Sequence, residues 1–557
     1  MESLIVGFIF TQIADFYHDK CVKNFLIKSL YQALRDFKLQ GQCVEQTCDS
    51  LGDSICLEVT GDKQSILTFS ENLAQYVPLS LQWAFKEMVL LDSTSREHIL
   101  NAENLTNNGF LTPLELQRIA ARDSKNFCNL WGEFVDFAPT KITLLKKGER
   151  ITIPNAPKLI ESLQQCAEWL KSGERIFIKS FFGKWELALL DEKAKISFSK
   201  TQSDFCFMPF CLDNAKMLFR AENEDLQALA TLEKPQLILS PKSVFADFFP
   251  SPFVKVLLPC DPYLFLLSKF LDSFCGLYLL PLEEKRENGI CVFVESQMPK
   301  LTISVAKNGL VLPHTFAKNT QNANLKSLQA TIRANALESV NALYLGKNAT
   351  RFLLYFNHNF KEALDFCFES NLSAILATLE SQSPTTQSLL KNFTQHNTEL
   401  IQTLKSSPKE SKISNNLLDL IGMAGVLLDI GNTENLKDSA DAVLQSATTF
   451  IGQKGPRIDF RLERDTEGGI YLDTLRTLRS VMSFKLAGVE TALLCFGILD
   501  SLAEFFANFH RDMEENYQTK GIIICGEIFL NKQFLNQFLH YAPKTSEVYA
   551  CEIMEFV

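Results

Sequence analysis

The stretch Leu159–Glu192 decides the fold and reads LIESLQQCAEWLKSGERIFIKSFFGKWELALLDE. Its first half places apolar residues at a 3.6-residue period, which predicts an amphipathic helix ending at Gly173. A short β-type run then ends at Lys179, and a turn closed by Gly183 leads into a second strand, Glu186–Leu190. Because a turn without bulky side chains lets backbone N–H groups approach an anion, the stretch predicts a phosphate or nucleotide cradle. An ordinary strand-turn-strand is the alternative, since this pattern occurs in many folds.

The composition is that of a large folded protein. At 557 residues the chain exceeds the size at which single hydrophobic cores stop growing, so two to four domains are expected. Hydrophobic residues make up 46% of the sequence and charged residues 22%, and 45 phenylalanines supply ample core material. The net charge is −10 with lysines and arginines scattered, which argues against a nucleic-acid-binding surface.

The sequence pattern favours a cytoplasmic protein without membrane insertion. Glu2 stands where a signal peptide has basic residues, and the apolar run Leu4–Phe10 is short for one. The most membrane-like stretch, Ser251–Leu282, is interrupted by charged residues that would be costly in hydrocarbon. We expect that stretch to be a buried core segment.

The cysteines and histidines predict no metal site. Fifteen cysteines without an export signal imply reduced thiols, and none is arranged as CxxC. The seven histidines show no HxxxH or HxH spacing, so no ligand pair lies on one helix face. Scattered core cysteines and surface or singly bonded histidines are expected instead.

The first 92 residues predict a ferredoxin-like unit of order βαββαβ. The predicted elements are strand Leu4–Phe10, helix Asp19–Phe37, strands Gly41–Gln46 and Ser54–Thr60, helix Lys63–Ala74 and strand Leu81–Leu91.

Several motifs resemble HypF, the hydrogenase maturation carbamoyltransferase. Gly173–Ala188 stands where that family has "GxIxAIKGxGGFHLA", at the start of its YrdC-like domain. Glu233–Leu239 and Val254–Pro262 look like its strands "RPIVLL" and "GVMLPYTPLHHLLL", and Ser414–Ile421 looks like its helix "SAGRLFDAVAALLG". Gly521–Asn531 is similar to "ALSGGVFQN", a buried strand followed by a nucleotide-binding glycine turn.

The resemblance implies an α+β and α/β multidomain protein. Its expected parts are an acylphosphatase-like domain of ferredoxin type (1–92), a helical connector in place of the family's zinc fingers (93–155), a YrdC-like domain (156–298) and a reduced actin-like, carbamoyltransferase-type domain (299–557). The connector offers only Cys128 and a capped helix start at Leu111–Leu116. A polar stretch near 380–416 fits a solvated linker or mobile insertion.

The polar groups that carry the family's chemistry are missing from this chain. The first acylphosphatase loop has Asp15 where an anion cradle needs a cation. After Leu190 the family's arginine-rich run is replaced by Glu192–Lys195 and Lys200, and lysine lacks the bidentate fork that grips a phosphate. The family's "HHHAH" and "DGTGYG" motifs do not occur. The apolar strand and helix patterns of the family remain, whereas its reactive residues do not, as expected when a fold is kept for binding.

The first hypothesis is therefore a non-catalytic, HypF-like accessory or scaffold protein in maturation of nickel–iron hydrogenase, with no catalytic residue. It would bind a hydrogenase subunit or another maturation factor, and it is similar in kind to the HydE-type accessory proteins encoded with some bacterial uptake hydrogenases.

Two alternatives stay open. A working transferase would form a carbamoyl-adenylate, with Lys179, Gly183 and Lys242 on the ATP phosphates and Gly526 at a vestigial nucleotide turn. ATP is the candidate cofactor in that case, and none is otherwise predicted. The other alternative is a soluble interaction protein of an unrelated pathway.

Overall fold

A computed structural model describes residues 3–13, 20–48, 52–101, 142–154, 156–180, 182–190, 205–251, 253–281, 287–292, 301–313, 323–406, 410–464 and 469–551. The chain divides into two units, Met1–Val305 and Ala306–Val557. Asp15, residues 102–141 of the predicted connector with Leu111–Leu116 and Cys128, and the run Glu192–Lys200 lie outside the described residues. The described ends of the predicted helical connector contain strands instead, Ile99–Leu100, Ile142–Lys146 and Glu149–Thr152. The predicted domain boundaries stay predictions.

The first unit opens with a small antiparallel sheet under two helices. Its elements are β1 (Leu4–Gln12), α1 (Lys20–Asp36), β2 (Gln40–Cys48), β3 (Gly52–Gly61), α2 (Lys63–Asn72), β4 (Trp83–Leu91) and β5 (Ile99–Leu100). The strand order is β4-β1-β3-β2-β5, and β1 runs antiparallel to both β3 and β4. The predicted βαββαβ order is confirmed.

Alternation along β1 gives this sheet its covered face. Val6, Phe8 and Phe10 are buried at every second position, which turns them to one side of the strand. The Phe8 ring meets Phe69 of α2 edge-on, with the ring centroids 5.5 Å apart. The same period-2 pattern made the element readable from sequence.

A larger mixed sheet follows in the same unit. Its elements are β6 (Ile142–Lys146), β7 (Glu149–Thr152), α3 (Ala156–Lys171), β8 (Ile176–Ser180), β9 (Gly183–Leu189), β10 (Cys206–Pro209), α4 (Leu212–Leu218), α5 (Asn223–Ala230), β11 (Gln236–Leu239), β12 (Val254–Val256), α6 (Pro262–Lys269), β13 (Gly276–Leu280), β14 (Gly289–Val292) and β15 (Thr302–Val305). Within the first unit the strand order is β15-β11-β12-β10-β13-β9-β8-β14-β6-β7.

The stretch Leu159–Glu192 forms most of α3 and the strands β8 and β9, as predicted. Leu159, Leu163 and Leu170 of α3 are buried in one cluster with Ile176 and Ile178 of β8. The second strand begins at Gly183, three residues earlier than predicted, because the turn is tight. The described part of Ser251–Leu282 forms β12, α6 and β13 within the unit.

The second unit combines a five-stranded sheet with a helical layer. Its elements are β16 (Val311–Pro313), α7 (Ala323–Ala334), β17 (Val340–Leu345), β18 (Thr350–Phe356), β19 (Asn359–Leu364), β20 (Phe368–Glu369), α8 (Leu372–Glu380), α9 (Pro384–His396), α10 (Thr398–Ser406), β21 (Ile413–Ser414), α11 (Leu417–Leu427), α12 (Leu436–Thr449), β22 (Leu462–Arg464), β23 (Ile470–Leu472), α13 (Thr474–Leu486), α14 (Thr491–Tyr517), β24 (Ile522–Cys525), α15 (Lys532–Tyr541) and β25 (Val548–Ala550).

The sheet of the second unit has the order β19-β18-β17-β24-β25. β17, β18 and β19 are antiparallel neighbours, whereas β17, β24 and β25 run parallel. The parallel strands therefore end at one edge, where ligands of open α/β sheets commonly bind.

The structure corrects the predicted polar linker near 380–416. Most of that stretch is helical, in α9 and α10, and both helices reach the core of the second unit. Leu390 and Phe393 of α9 and Ile401 and Leu404 of α10 are buried. Each pair is three residues apart, so a narrow apolar stripe anchors helices whose remaining surface is polar.

Helix α14 is the one helix in the described part of the chain that is long and apolar enough to cross a membrane. It has 27 residues, but 72% of its most apolar window is buried inside the protein. A buried core helix can pass the same test of length and composition. Helix α14 packs against α12 and α15 in the main core of the second unit.

Candidate functional site

Two lysines face each other at the end of the β8–β9 hairpin. Lys179 on β8 pairs directly with Lys184 on β9, so both side chains leave the same face of the sheet. Lys179 is half-buried and Lys184 is exposed. Like charges at directly opposite positions destabilise a sheet, and an anion between them would relieve the repulsion.

The turn that joins these strands depends on Gly183. Its φ of +111° lies in the region that favours glycine, and Ser180 pairs with it to close the hairpin. The Trp185 Nε1–H donates to the Phe182 carbonyl at 3.1 Å, which fixes the turn from the next strand. The structure thus gives Gly183 a conformational role beside Lys179, and its predicted contact with ATP stays a prediction.

The arginine at the start of this hairpin is already paired. Arg175 Nη1 lies 3.0 Å from Glu186 Oε1, and Glu186 is only 2% exposed. A buried carboxylate needs such a partner because an uncompensated charge in the interior is strongly unfavourable. The guanidinium therefore stabilises the sheet instead of offering a fork to a phosphate.

A buried acid lies at the end of β8. Asp261 caps α6: its Oδ1 accepts the Leu264 N–H at 2.9 Å. Burial raises the pKa of Asp261, and a hydrogen bond from Ser180 opposes that rise. Its Oδ2 accepts no hydrogen bond from the part of the chain that the structure describes.

A half-buried lysine, Lys234, lies near Cys260, the residue before Asp261. Burial lowers the pKa of Lys234 to about 8, and the charges of Glu233 and Cys260 oppose that shift. Its Nζ donates to the Ala230 carbonyl at 2.9 Å. Sequence reasoning read Lys234 and Asp261 only as parts of strands; the Asp-Pro pair before an apolar run was the available signal for a helix cap.

Lys242 has a local partner of its own. Its Nζ donates to the Lys216 carbonyl at 2.7 Å, in the last turn of α4. A lysine in this position caps the free carbonyls of a helix end. That bond holds the ammonium at α4, and a contact with ATP stays a prediction.

Gly526 lies in the second unit, directly after β24. Its φ is +104°, and a Cβ there would stand 2.3 Å from the Leu345 carbonyl oxygen. Only glycine can therefore bring this turn against the end of β17.

The described residues contain no group of three or more histidine, cysteine or acidic side chains that could hold a metal ion. The buried His510 bonds to Asn341 and Ser546. Its two ring nitrogens are thus satisfied within the protein.

No protein-family profile matches the chain. It is 32% identical over 502 residues to Protein HydE of Wolinella succinogenes, an alignment that covers 87% of this chain and 89% of that relative. The chain belongs to the HydE family. Identity at this level over most of both chains also supports a role in hydrogenase maturation, in agreement with the resemblance seen in the sequence.

Solved structures place this HydE-family chain on the HypF fold. Full-length HypF in its phosphate- and nucleotide-bound form matches with a TM-score of 0.59 and 12% identity, and HypF from T. kodakarensis with 0.68 and 11%. Both matches cover 99% of this chain and 96% of the other. The predicted HypF-like fold class is confirmed, and identities this low support the fold alone.

Proposed function

We propose that this HydE-family protein is a cytoplasmic, non-catalytic accessory protein in maturation of nickel–iron hydrogenase, which binds a hydrogenase subunit or another maturation factor. The observation that carries the proposal is a HypF fold kept over nearly the whole chain while three donors suited to phosphate, the Arg175 guanidinium, the Lys242 ammonium and the Lys347 backbone N–H, already have partners in the protein. A fold retained without its reactive groups is best explained by binding.

Three local pairings support this proposal. Arg175 is held by Glu186, the Lys242 ammonium by a helix-end carbonyl, and the Lys347 backbone N–H by the Glu527 carboxylate. A transition state with developing phosphate charge needs donors that are preorganised for it. Donors that already bond to groups of the protein cannot stabilise phosphate charge without rearrangement.

An active ATP-dependent carbamoyltransferase is the second candidate. The facing pair Lys179 and Lys184 favours it, since two ammonium groups on the open side of a hairpin suit an anion. Lysine binds phosphate as a point charge, so this candidate still lacks the bidentate grip of arginine.

Affinity purification from the native host tests the proposed partner. We expect tagged full-length protein from cells that make hydrogenase to retain a hydrogenase subunit or maturation factor in near-stoichiometric amount, because an accessory protein acts by binding. Bound proteins, metal and nucleotide are identified by mass spectrometry.

The control is the same tagged chain from cells grown without hydrogenase expression, where the partner should be missing. Recovery of the protein alone from hydrogenase-making cells, or only with components of another pathway, would overturn the proposal.

A further inference from the structure

Two glycine turns lie side by side where the parallel strands β17 and β24 of the second unit end. β17 is followed by a turn at Gly346, and the neighbouring strand β24 is followed by the turn at Gly526. Gly346 N–H donates to the Ala349 carbonyl at 3.1 Å, which closes the first turn. The second turn is pressed against Leu345, as the close approach at Gly526 requires. The carboxyl ends of parallel strands are the usual binding edge of such a sheet.

A carboxylate links the two turns. Glu527 Oε2 accepts the backbone N–H of Lys347 at 2.8 Å. Its Oε1 is shielded from solvent and accepts no hydrogen bond from any described residue. A shielded carboxylate oxygen without a donor is unfavourable, so the position of Glu527 is not explained by its own hydrogen bonding. Backbone N–H groups at glycine turns are the donors that hold oxyanions in proteins.

The first turn is held rigidly from the helical layer. Asn416, the N-cap of α11, donates from Nδ2 to the Lys347 carbonyl at 2.6 Å, and the Leu417 N–H donates to Thr350 Oγ1 at 3.0 Å. Lys437 at the start of α12 donates to Asn348 Oδ1 at 2.9 Å. The turn therefore presents its N–H in one fixed direction.

Charged side chains of both signs lie near the turn. Lys347 and Lys437 bring two ammonium groups to the turn, and the Lys347 charge opposes the rise that burial causes in the pKa of Asp441. The charge of Asp438 adds to that rise, and the Glu527 carboxylate lies at the N–H of the turn itself.

We propose that the Glu527 carboxylate is an internal anion that occupies the position of a phosphate oxyanion between the two glycine turns, so that this edge of the sheet is closed to phosphate-bearing ligands. The inference deepens the proposed function, on which it rests, by naming the contact that keeps one potential ligand site shut. It concerns the second unit alone, whereas Lys179 and Lys184 belong to the first.

Phosphate binding by full-length variants tests this proposal. All variants carry Lys179→Ala and Lys184→Ala, so that the first unit contributes no phosphate site. Into this background we introduce Glu527→Gly, which removes the carboxylate, or Glu527→Gln, which keeps its size. Glu410→Gly, at an exposed position, is the matched control for loss of one negative charge. Inorganic phosphate and tripolyphosphate are titrated by calorimetry, and circular dichroism verifies folding.

We expect Glu527→Gly to bind tripolyphosphate roughly tenfold or more tightly than the parent and the Glu410→Gly control. Glu527→Gln should show a smaller gain in affinity for tripolyphosphate, because the glutamine amide still fills the space of the carboxylate. The inference would be overturned if the folded Glu527 variants gained no affinity for tripolyphosphate, or no more affinity than Glu410→Gly gains. A different result would be that the wild-type protein binds phosphate and loses that binding on Lys179→Ala and Lys184→Ala substitution. That result would count against the proposed non-catalytic function and leave the inference about Glu527 intact, so failure of one is distinguishable from failure of the other.

Discussion

Replacing His510 with alanine is expected to destabilise the second unit by about 3–5 kcal/mol. The His510 side chain on α14 has no solvent exposure. Its Nδ1 lies 2.8 Å from Asn341 Nδ2 on β17, and its Nε2 lies 2.7 Å from Ser546 Oγ before β25. Alanine would leave a cavity and remove the partner of two polar groups at once.

The hydrogen bonds around His510 form one directed chain. With the Asn341 amide donating to Nδ1, the ring proton is on Nε2 and is donated to Ser546, whose hydroxyl donates to Glu514 Oε1 at 2.7 Å. Urea unfolding followed by circular dichroism measures the loss. His396→Ala on the exposed end of α9 is the matched control and should change stability by less than about 0.5 kcal/mol. Equal effects of the two substitutions would show that the buried network adds no stability.

His510 should also make the stability of the protein depend on pH. Burial lowers the pKa of His510 to about 4, against an opposing influence of Glu514. The unfolded chain therefore takes up a proton near pH 6.5 while the folded chain does not, so stability falls as the pH drops from about 6.5 toward 4. His510→Ala should lack that component of the decline, and parallel profiles for both proteins would contradict the assignment.

Replacing Glu233 with alanine should destabilise the first unit by about 3–5 kcal/mol. Glu233 precedes β11, is only 2% exposed, and accepts hydrogen bonds from the segment that leads into β4. Its donors are Ser80 Oγ and the backbone N–H groups of Leu81, at 3.0 Å, and Gln82, at 3.2 Å. This carboxylate links the small sheet to the larger one. Alanine would leave the buried backbone N–H groups of Leu81 and Gln82 and the half-buried Ser80 hydroxyl without this acceptor.

A conservative change should separate hydrogen bonding from charge. Burial raises the pKa of Glu233 while its hydrogen bonds oppose the rise, so the charged form is held at a desolvation cost. Glu233→Gln removes that cost but turns an NH₂ group toward backbone donors, and we expect an intermediate loss. Urea unfolding and limited proteolysis between the two sheets are the measurements, with exposed Glu71→Ala as the control. A loss no greater for Glu233→Ala than for Glu71→Ala would refute this role.

The elements readable from the sequence were those with strong local periodicity. The βαββαβ unit and the α3–β8–β9 stretch followed from alternation and helical spacing, which depend on residues close in the chain. The helices α9 and α10 were missed because serine, threonine, asparagine and glutamine dominate their composition. Their apolar stripe is only two buried residues wide in each helix.

The contacts that shape the candidate sites depend on residues far apart in sequence. Glu233 and Leu81 are 152 positions apart, and Glu527 and Lys347 are 180 apart. No spacing rule connects such pairs before the topology is known. Lys179 was singled out from its turn, but its partner Lys184 became apparent only from the strand register.

The most direct test of the non-catalytic assignment is release of pyrophosphate from ATP by purified full-length protein supplied with carbamoyl phosphate. In that reaction water would hydrolyse carbamoyl phosphate to carbamate and phosphate, and a carbamate oxygen would then attack the α-phosphorus of ATP, forming carbamoyl-adenylate and releasing pyrophosphate. Active HypF serves as the positive control. We expect no release above the protein-free rate and no ATP binding. Carbamoyl-phosphate-dependent pyrophosphate release that is lost in Lys179→Ala would contradict the assignment.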